Sequence, residues 1–133
     1  MSPLRIAIAG AGIAGLCTAL ALRRRGLSVQ LYEQAEQLGE VGAGLQLSPN
    51  GTRVLQALGL EPALAPRVCQ AARKEVRHYA SGRLRKLFDL GIDGRPSLGT
   101  PYWLVLRGHL HRTLPASVAQ ADPASIPRAP RAL

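Results

Sequence analysis

At 133 residues the chain has the length of one ordinary domain, which excludes an enzyme built from two. Apolar residues make up 47% and charged residues 19%, a globular balance that can build a core and is unlike disordered or fibrous composition. The formal charge of +9 comes mainly from Arg spread along the chain without a nucleic-acid motif; with one Trp, three Tyr and one Phe, few rings are present for base stacking, so no nucleic-acid partner is expected.

The chain opens on an apolar and small-residue run, Ile6 to Leu22, flanked by Arg5 and by Arg23, Arg24 and Arg25. Its glycines, Gly10, Gly12 and Gly15, make it weakly hydrophobic and short for a bilayer crossing, so neither export nor a membrane partner is expected. Leu4 to Ala9 reads instead as a strand buried on both faces, and Ile13 to Arg25 as a helix closed by a left-handed Gly26, with the three arginines favouring its C-terminus. Ser28 to Glu33 then reads as a second strand, which completes a parallel βαβ unit. Leu38 to Gly44 holds three glycines in seven residues and is a loop along which backbone approaches something closely. Ser48 caps a helix over residues 49–58 with Pro49 at its first position, Val54, Leu55 and Leu58 as its apolar stripe and Gly59 as its stop. Ala72 to Tyr79 and Arg83 to Phe88 form a hairpin about Ser81-Gly82. Tyr102 to Leu106 is a further strand, and Arg107 to Leu114 a short helix with Leu110 and Leu114 on one face. From Pro115 to Leu133, four Pro and six Ala in nineteen residues show no periodicity and read as a disordered tail. Cys17 and Cys69 have no metal-ligand spacing and read as two buried thiols in a reducing cytoplasm.

Gly10-Ala11-Gly12-Ile13-Ala14-Gly15 fits G-x-G-x-x-G between a predicted strand and a predicted helix, the context that this fingerprint requires. Gly10 permits the tight turn, Gly12 lets backbone meet a pyrophosphate, and Gly15 lets the helix pack close to the strand. The diphosphate would sit at the helix N-terminus, where unpaired N–H groups and the positive dipole end face it. Glu33 ends the second strand, eighteen residues after Gly15, where a carboxylate accepts hydrogen bonds from ribose hydroxyls. The expected fold is therefore α/β: a partial Rossmann-like FAD/NAD(P)-binding fold, with a parallel βαβ unit and an inserted β-hairpin.

FAD and NAD share that fingerprint, and the following segment separates them. Glu40, Gly42-Ala43-Gly44, Pro49-Asn50 and Leu58-Gly59-Leu60 resemble the N-terminal part of the FAD-dependent aromatic-ring monooxygenases, the salicylate-hydroxylase-like flavoprotein hydroxylases. The resemblance covers residues 4 to about 114 and disfavours an NAD-dependent dehydrogenase. It implies FAD as cofactor, with Gly42, Ala43 and Gly44 passing beside its flavin part and Arg107 lying against the cofactor. In the family an acidic residue stands two positions after that Arg, where this chain has His109. His109 and His111 read as solvated helix residues, and His78 as a strand-surface residue.

The family's flavin takes hydride from NAD(P)H and uses oxygen to hydroxylate an aromatic acid or phenol. Its members also carry a later Gly-Asp segment, a further Asp at the ribityl chain and a sheet domain that forms the substrate pocket, none of which this sequence contains. Residues 1–114 therefore read as an incomplete FAD-binding domain and residues 115–133 as the disordered tail, a truncated or frameshifted piece without turnover. NAD(P)H and an aromatic substrate become partners only if missing segments complete it. The competing expectation is a non-catalytic nucleotide-binding module or half of a split flavoprotein.

Overall fold

A computed structural model describes residues 4–35, 43–91 and 99–121 of the chain. Strand β1 (Arg5–Ala9), helix α1 (Ile13–Arg23) and strand β2 (Ser28–Tyr32) form the expected βαβ unit: the strands pair in parallel, with Ile6 opposite Val29 and Ala9 opposite Tyr32. Parallel pairing brings the C-terminal ends of both strands to one edge, and there the Gly10 N–H donates to the Tyr32 carbonyl at 2.7 Å. The apolar stretch from Ile6 to Leu22 is thus divided into strand, glycine turn and helix. Among the described residues no helix is long and apolar enough to cross a membrane.

Helix α1 stops where Gly26 takes φ +76°, a left-handed conformation that a side chain disfavours. The three arginines at this end each reach a carbonyl. Arg23 donates to Val29, Arg24 to Ala57 at 3.2 Å and Arg25 to Ala21 at 3.4 Å, so they close the helix and tie it to its neighbours.

After β2 come strand β3 (Gly44–Leu47), helix α2 (Pro49–Ala57), helix α3 (Glu61–Leu64), a 3₁₀ turn (Ala65–Arg67) and strand β4 (Val68–Gln70). Strands β5 (Arg73–Arg77) and β6 (Leu84–Asp89) form the expected antiparallel hairpin, and strand β7 (Trp103–Leu106) leads directly into helix α4 (Arg107–Ala121). β7 lies between β3 and β4, antiparallel to both, with Gly44 opposite Leu106 and Val68 opposite Val105.

The core joins the βαβ unit to α4. Leu16, Ala19 and Leu20 of α1 share a face at helical spacing and are buried with Val29 and Leu31 of β2, Leu55 of α2, Leu64 of α3, Trp103 of β7, and Leu110, Leu114 and Val118 of α4. Each fully buried Leu contributes roughly 1.5–3 kcal/mol relative to exposure. Thr52, a buried polar residue of α2, donates its hydroxyl to the Pro101 carbonyl at 2.8 Å and so pins α2 to the segment entering β7.

Several expectations are corrected. Helix α4 does not end at Leu114: residues 115–121 continue it through Pro115, because Val118, fully buried, extends the Leu110–Leu114 stripe by one more turn. Residues 122–133 lie outside the described residues. β1 is not buried on both faces; Ile6 and Ile8 are half-buried against the core while Arg5, Ala7 and Ala9, on the opposite face, are exposed. Val54 points out of the α2 stripe and is 52% exposed. Ser48 does occupy the N-cap position, but its hydroxyl turns to Asn50 Oδ1 rather than to a backbone N–H. Cys69 is exposed and Cys17 half-buried, not two buried thiols.

Candidate functional site

The glycine turn joins β1 to α1, and its three glycines have different physical causes. Gly10 adopts φ +95°, open to glycine and strained for other residues. At Gly15, the third residue of α1, an added Cβ would lie 2.0 Å from the Gly10 carbonyl oxygen, so the helix seats against the strand end only because this side chain is missing. Gly12 is different: its φ of −69° suits any residue, and an added Cβ would meet nothing within 4 Å. The protein's own packing makes no demand for glycine there, whereas a ligand laid across the turn would.

The N-terminus of α1 carries no side-chain cap and no acidic residue in its first turn. The N–H groups of its first turn therefore have no side-chain partner from the helix itself, which leaves them open to an external anion. Gly12 and Ala14 are exposed at this end, Ile13 is half-buried and Ala11 is buried. A diphosphate fits this donor set.

Glu33, the residue after β2, lies at the same edge. Its Oε2 accepts the Ala11 N–H at 2.7 Å, and its Oε1 accepts the Ala35 N–H at 2.9 Å. These backbone donors, Ala35 first and then Ala11, hold the Glu33 carboxyl below its ordinary value of 4.5, and the nearby His111 imidazole adds to the effect. The group is thus an anion at neutral pH, able to accept from a sugar hydroxyl beside the turn.

The second set of expected residues meets at the start of α4. Register places Gly44 opposite Leu106, and the Arg107 N–H donates to the Ala43 carbonyl at 3.3 Å. Ala43, Gly44 and Arg107 are exposed. An added Cβ on Gly44 would come no nearer than 3.8 Å to the Val105 carbonyl, so there too the chain's own packing leaves room for a side chain. Gly42 lies outside the described residues.

A residue assigned to solvent joins the two sets. His111, one helical turn beyond Arg107, places Nε2 3.0 Å from the Ala11 carbonyl oxygen, so one turn of α4, about 6 Å of rise, spans from the Ala43 edge to the glycine turn. The expectation that His109 and His111 are solvated is therefore corrected. His109 is half-buried, with Nδ1 buried and unpartnered, and His111 is bonded to the turn. The signal available in the sequence was the position of His111 beside Leu110, at the margin of the buried stripe.

A family model described as FAD dependent oxidoreductase matches residues 5–93. The chain is 45% identical over 121 residues to a 3-amino-4-hydroxybenzoate 2-monooxygenase of Streptomyces cremeus, a match that covers 88% of this chain and 31% of that protein. It is 38% identical over 111 residues to a 3-hydroxybenzoate 6-hydroxylase of Polaromonas naphthalenivorans, covering 84% of this chain and 28% of the relative. Among solved structures it superposes on 2-methyl-3-hydroxypyridine-5-carboxylic acid oxygenase with TM-score 0.79 at 28% identity, covering 96% of this chain and 32% of that one. It also superposes on HpxO of Klebsiella pneumoniae, solved in complex with FAD and uric acid, with TM-score 0.72 at 25% identity, covering 92% of this chain and 30% of that one. The chain spans roughly three tenths of the length of the curated relatives it matches.

Proposed function

The chain belongs to the FAD-dependent oxidoreductase family, and from that premise we propose that it holds the ADP half of FAD at the β1–α1 turn. Gly10, Ala11, Gly12, Ile13, Ala14 and Gly15 supply the turn and the helix end on which the diphosphate rests, and Glu33 accepts from the adenosine ribose. Ala43, Gly44 and Arg107 face the flavin half, with the Arg107 guanidinium offering fixed donors to the diphosphate or ribityl oxygens. The observation that carries this reading is the pairing at the turn: a helix N-terminus without a side-chain cap and with open space over Gly12, beside a carboxylate bonded to the Ala11 N–H.

Each residue has a separable task. The α1 N–H groups stabilise phosphate charge without the reorganisation that water would need. Glu33, kept anionic by its backbone donors, selects ribose hydroxyls and repels a 2′-phosphate. At Gly44 an added Cβ would meet only the Val105 carbonyl, at 3.8 Å, which leaves room there for a ligand to approach the backbone. FAD, when bound, supplies the redox chemistry, and the protein supplies its position.

In a protein of the relatives' full length, the reading extends to NAD(P)H- and oxygen-dependent hydroxylation of an aromatic substrate. The names of the relatives support this: both curated matches are hydroxylating enzymes of benzoates. Competition calorimetry tests the proposal: ADP and FAD bind competitively, while FMN, which lacks the AMP part and keeps only one of the two phosphates, competes far more weakly than ADP. Binding of FMN in preference to ADP would refute it.

A further inference from the structure

Ala11 is held from both of its ends. Its N–H donates to Glu33 Oε2 at 2.7 Å, and its carbonyl lies 3.0 Å from His111 Nε2, 100 positions later in the chain. A carbonyl oxygen only accepts, so Nε2 carries the proton of that bond. The peptide from Ala11 to Gly12 is planar and trans, so its C=O and N–H point to opposite sides. With the oxygen drawn towards α4, the Gly12 N–H is turned the other way. Gly12 is the N-cap of α1, with extended backbone at φ −69° and ψ 178°, so the helix itself does not fix the direction of this N–H. The N–H groups of the first helical turn, by contrast, are aimed along the axis by helical geometry. The Gly12 donor therefore needs an outside constraint, and the His111 bond provides it.

We propose that His111 is a positioning residue for the diphosphate site: by donating from Nε2 to the Ala11 carbonyl, it aims the Gly12 N–H at the phosphates of the ADP moiety. The proposal rests on the reading of the turn as the ADP site and deepens it, because a side chain that touches no ligand then sets the strength of one ligand contact. It also explains why α4 crosses α1 with a polar ring at the margin of an otherwise apolar contact.

The test titrates the 133-residue chain with ADP and, separately, with adenosine, which lacks the phosphates. His111→Leu weakens ADP about tenfold, the effect of a single lost hydrogen bond with an oriented partner, and leaves adenosine affinity unchanged. His111→Gln, whose side-chain amide still donates, restores ADP affinity to within about threefold of wild type. ADP binding unchanged in His111→Leu overturns the proposal, as does an equal loss for ADP and adenosine, which marks a purely structural role. If His111→Leu does not fold, the imidazole nitrogen-15 shifts of the wild-type protein decide: a protonated Nε2 coupled to the Ala11 carbonyl supports the proposal, and a bare Nε2 overturns it. A wild-type chain that binds neither ADP nor FAD removes the site reading itself, an outcome distinct from loss of the His111 effect alone.

Discussion

Gly15→Ala separates the structural from the ligand-binding use of the glycine turn. The new Cβ would stand 2.0 Å from the Gly10 carbonyl oxygen, 3.2 Å from the Gly10 carbonyl carbon and 3.4 Å from Ile8 Cγ2. The first of these contacts is more than 1 Å short of van der Waals separation, and it meets backbone rather than a pliable side chain, so α1 must move away from the strand end. Overpacking of this kind costs about 3 kcal/mol. Opposing it, Ala is better than Gly inside a helix by about 1 kcal/mol, so the net loss is about 2 kcal/mol. For a chain of this length that lowers Tm by roughly 6–12 °C. Gly12→Ala is the internal control: with nothing within 4 Å of its Cβ and an unstrained φ, it loses only the N-cap preference of Gly over Ala, about 0.5–1 kcal/mol or roughly 2–5 °C in Tm, while weakening ADP. Thermal unfolding followed by circular dichroism, with ADP titrations beside it, reads both effects. A Gly15→Ala variant as stable as wild type, or more stable by its helix propensity, refutes the close approach of helix to strand.

Three further outcomes are expected. Because backbone N–H groups hold the folded-state Glu33 carboxyl below its ordinary value of 4.5, the stability it lends is complete above that pH and is lost as acid titrates the folded group; the Tm gap between wild type and Glu33→Gln is flat at neutral pH and closes on acidification, and a pH-independent gap contradicts the bonding. Thr52→Val leaves the Pro101 carbonyl without its donor and costs about 1–2 kcal/mol in urea unfolding, against no change if that bond is absent. Val118→Ala removes two buried methyl groups from α4 and costs about 2 kcal/mol, whereas a chain disordered beyond Leu114 would not respond.

What was legible in the sequence was local. The spacing of Gly10, Gly12 and Gly15 between an apolar run and a helix-forming run encodes its own turn, and Glu33 follows from the end of the next strand, so the βαβ unit and the pairing of turn and acid were both readable. The hairpin about Ser81-Gly82 announced itself through turn chemistry; the structure gives Gly82 φ +66°. β3 and β4 were not readable. They are four and three residues long, and both take their conformation from pairing with β7, more than thirty residues away, rather than from any periodicity of their own. Helix α4 shows the same limit from the other side. The Pro- and Ala-rich composition from Pro115 onward reads as a disordered tail, yet the burial of Leu114 and Val118 on α1 and its neighbours outweighs the backbone bond lost at Pro115. For His111 the place beside Leu110 marks only the margin of the stripe; its partner, the Ala11 carbonyl, lies 100 positions away and is not legible locally.

The central claim, that the ADP moiety of FAD rests on the β1–α1 turn against Glu33, is tested most directly by titrating ADP into the nitrogen-15-labelled chain and following the backbone amides. Amide shifts concentrated at residues 10–15 and at Glu33, with the β5–β6 hairpin unmoved, are the predicted result. Saturable shifts confined to the hairpin or to the arginines at the end of α1, or no shifts at all, would contradict it.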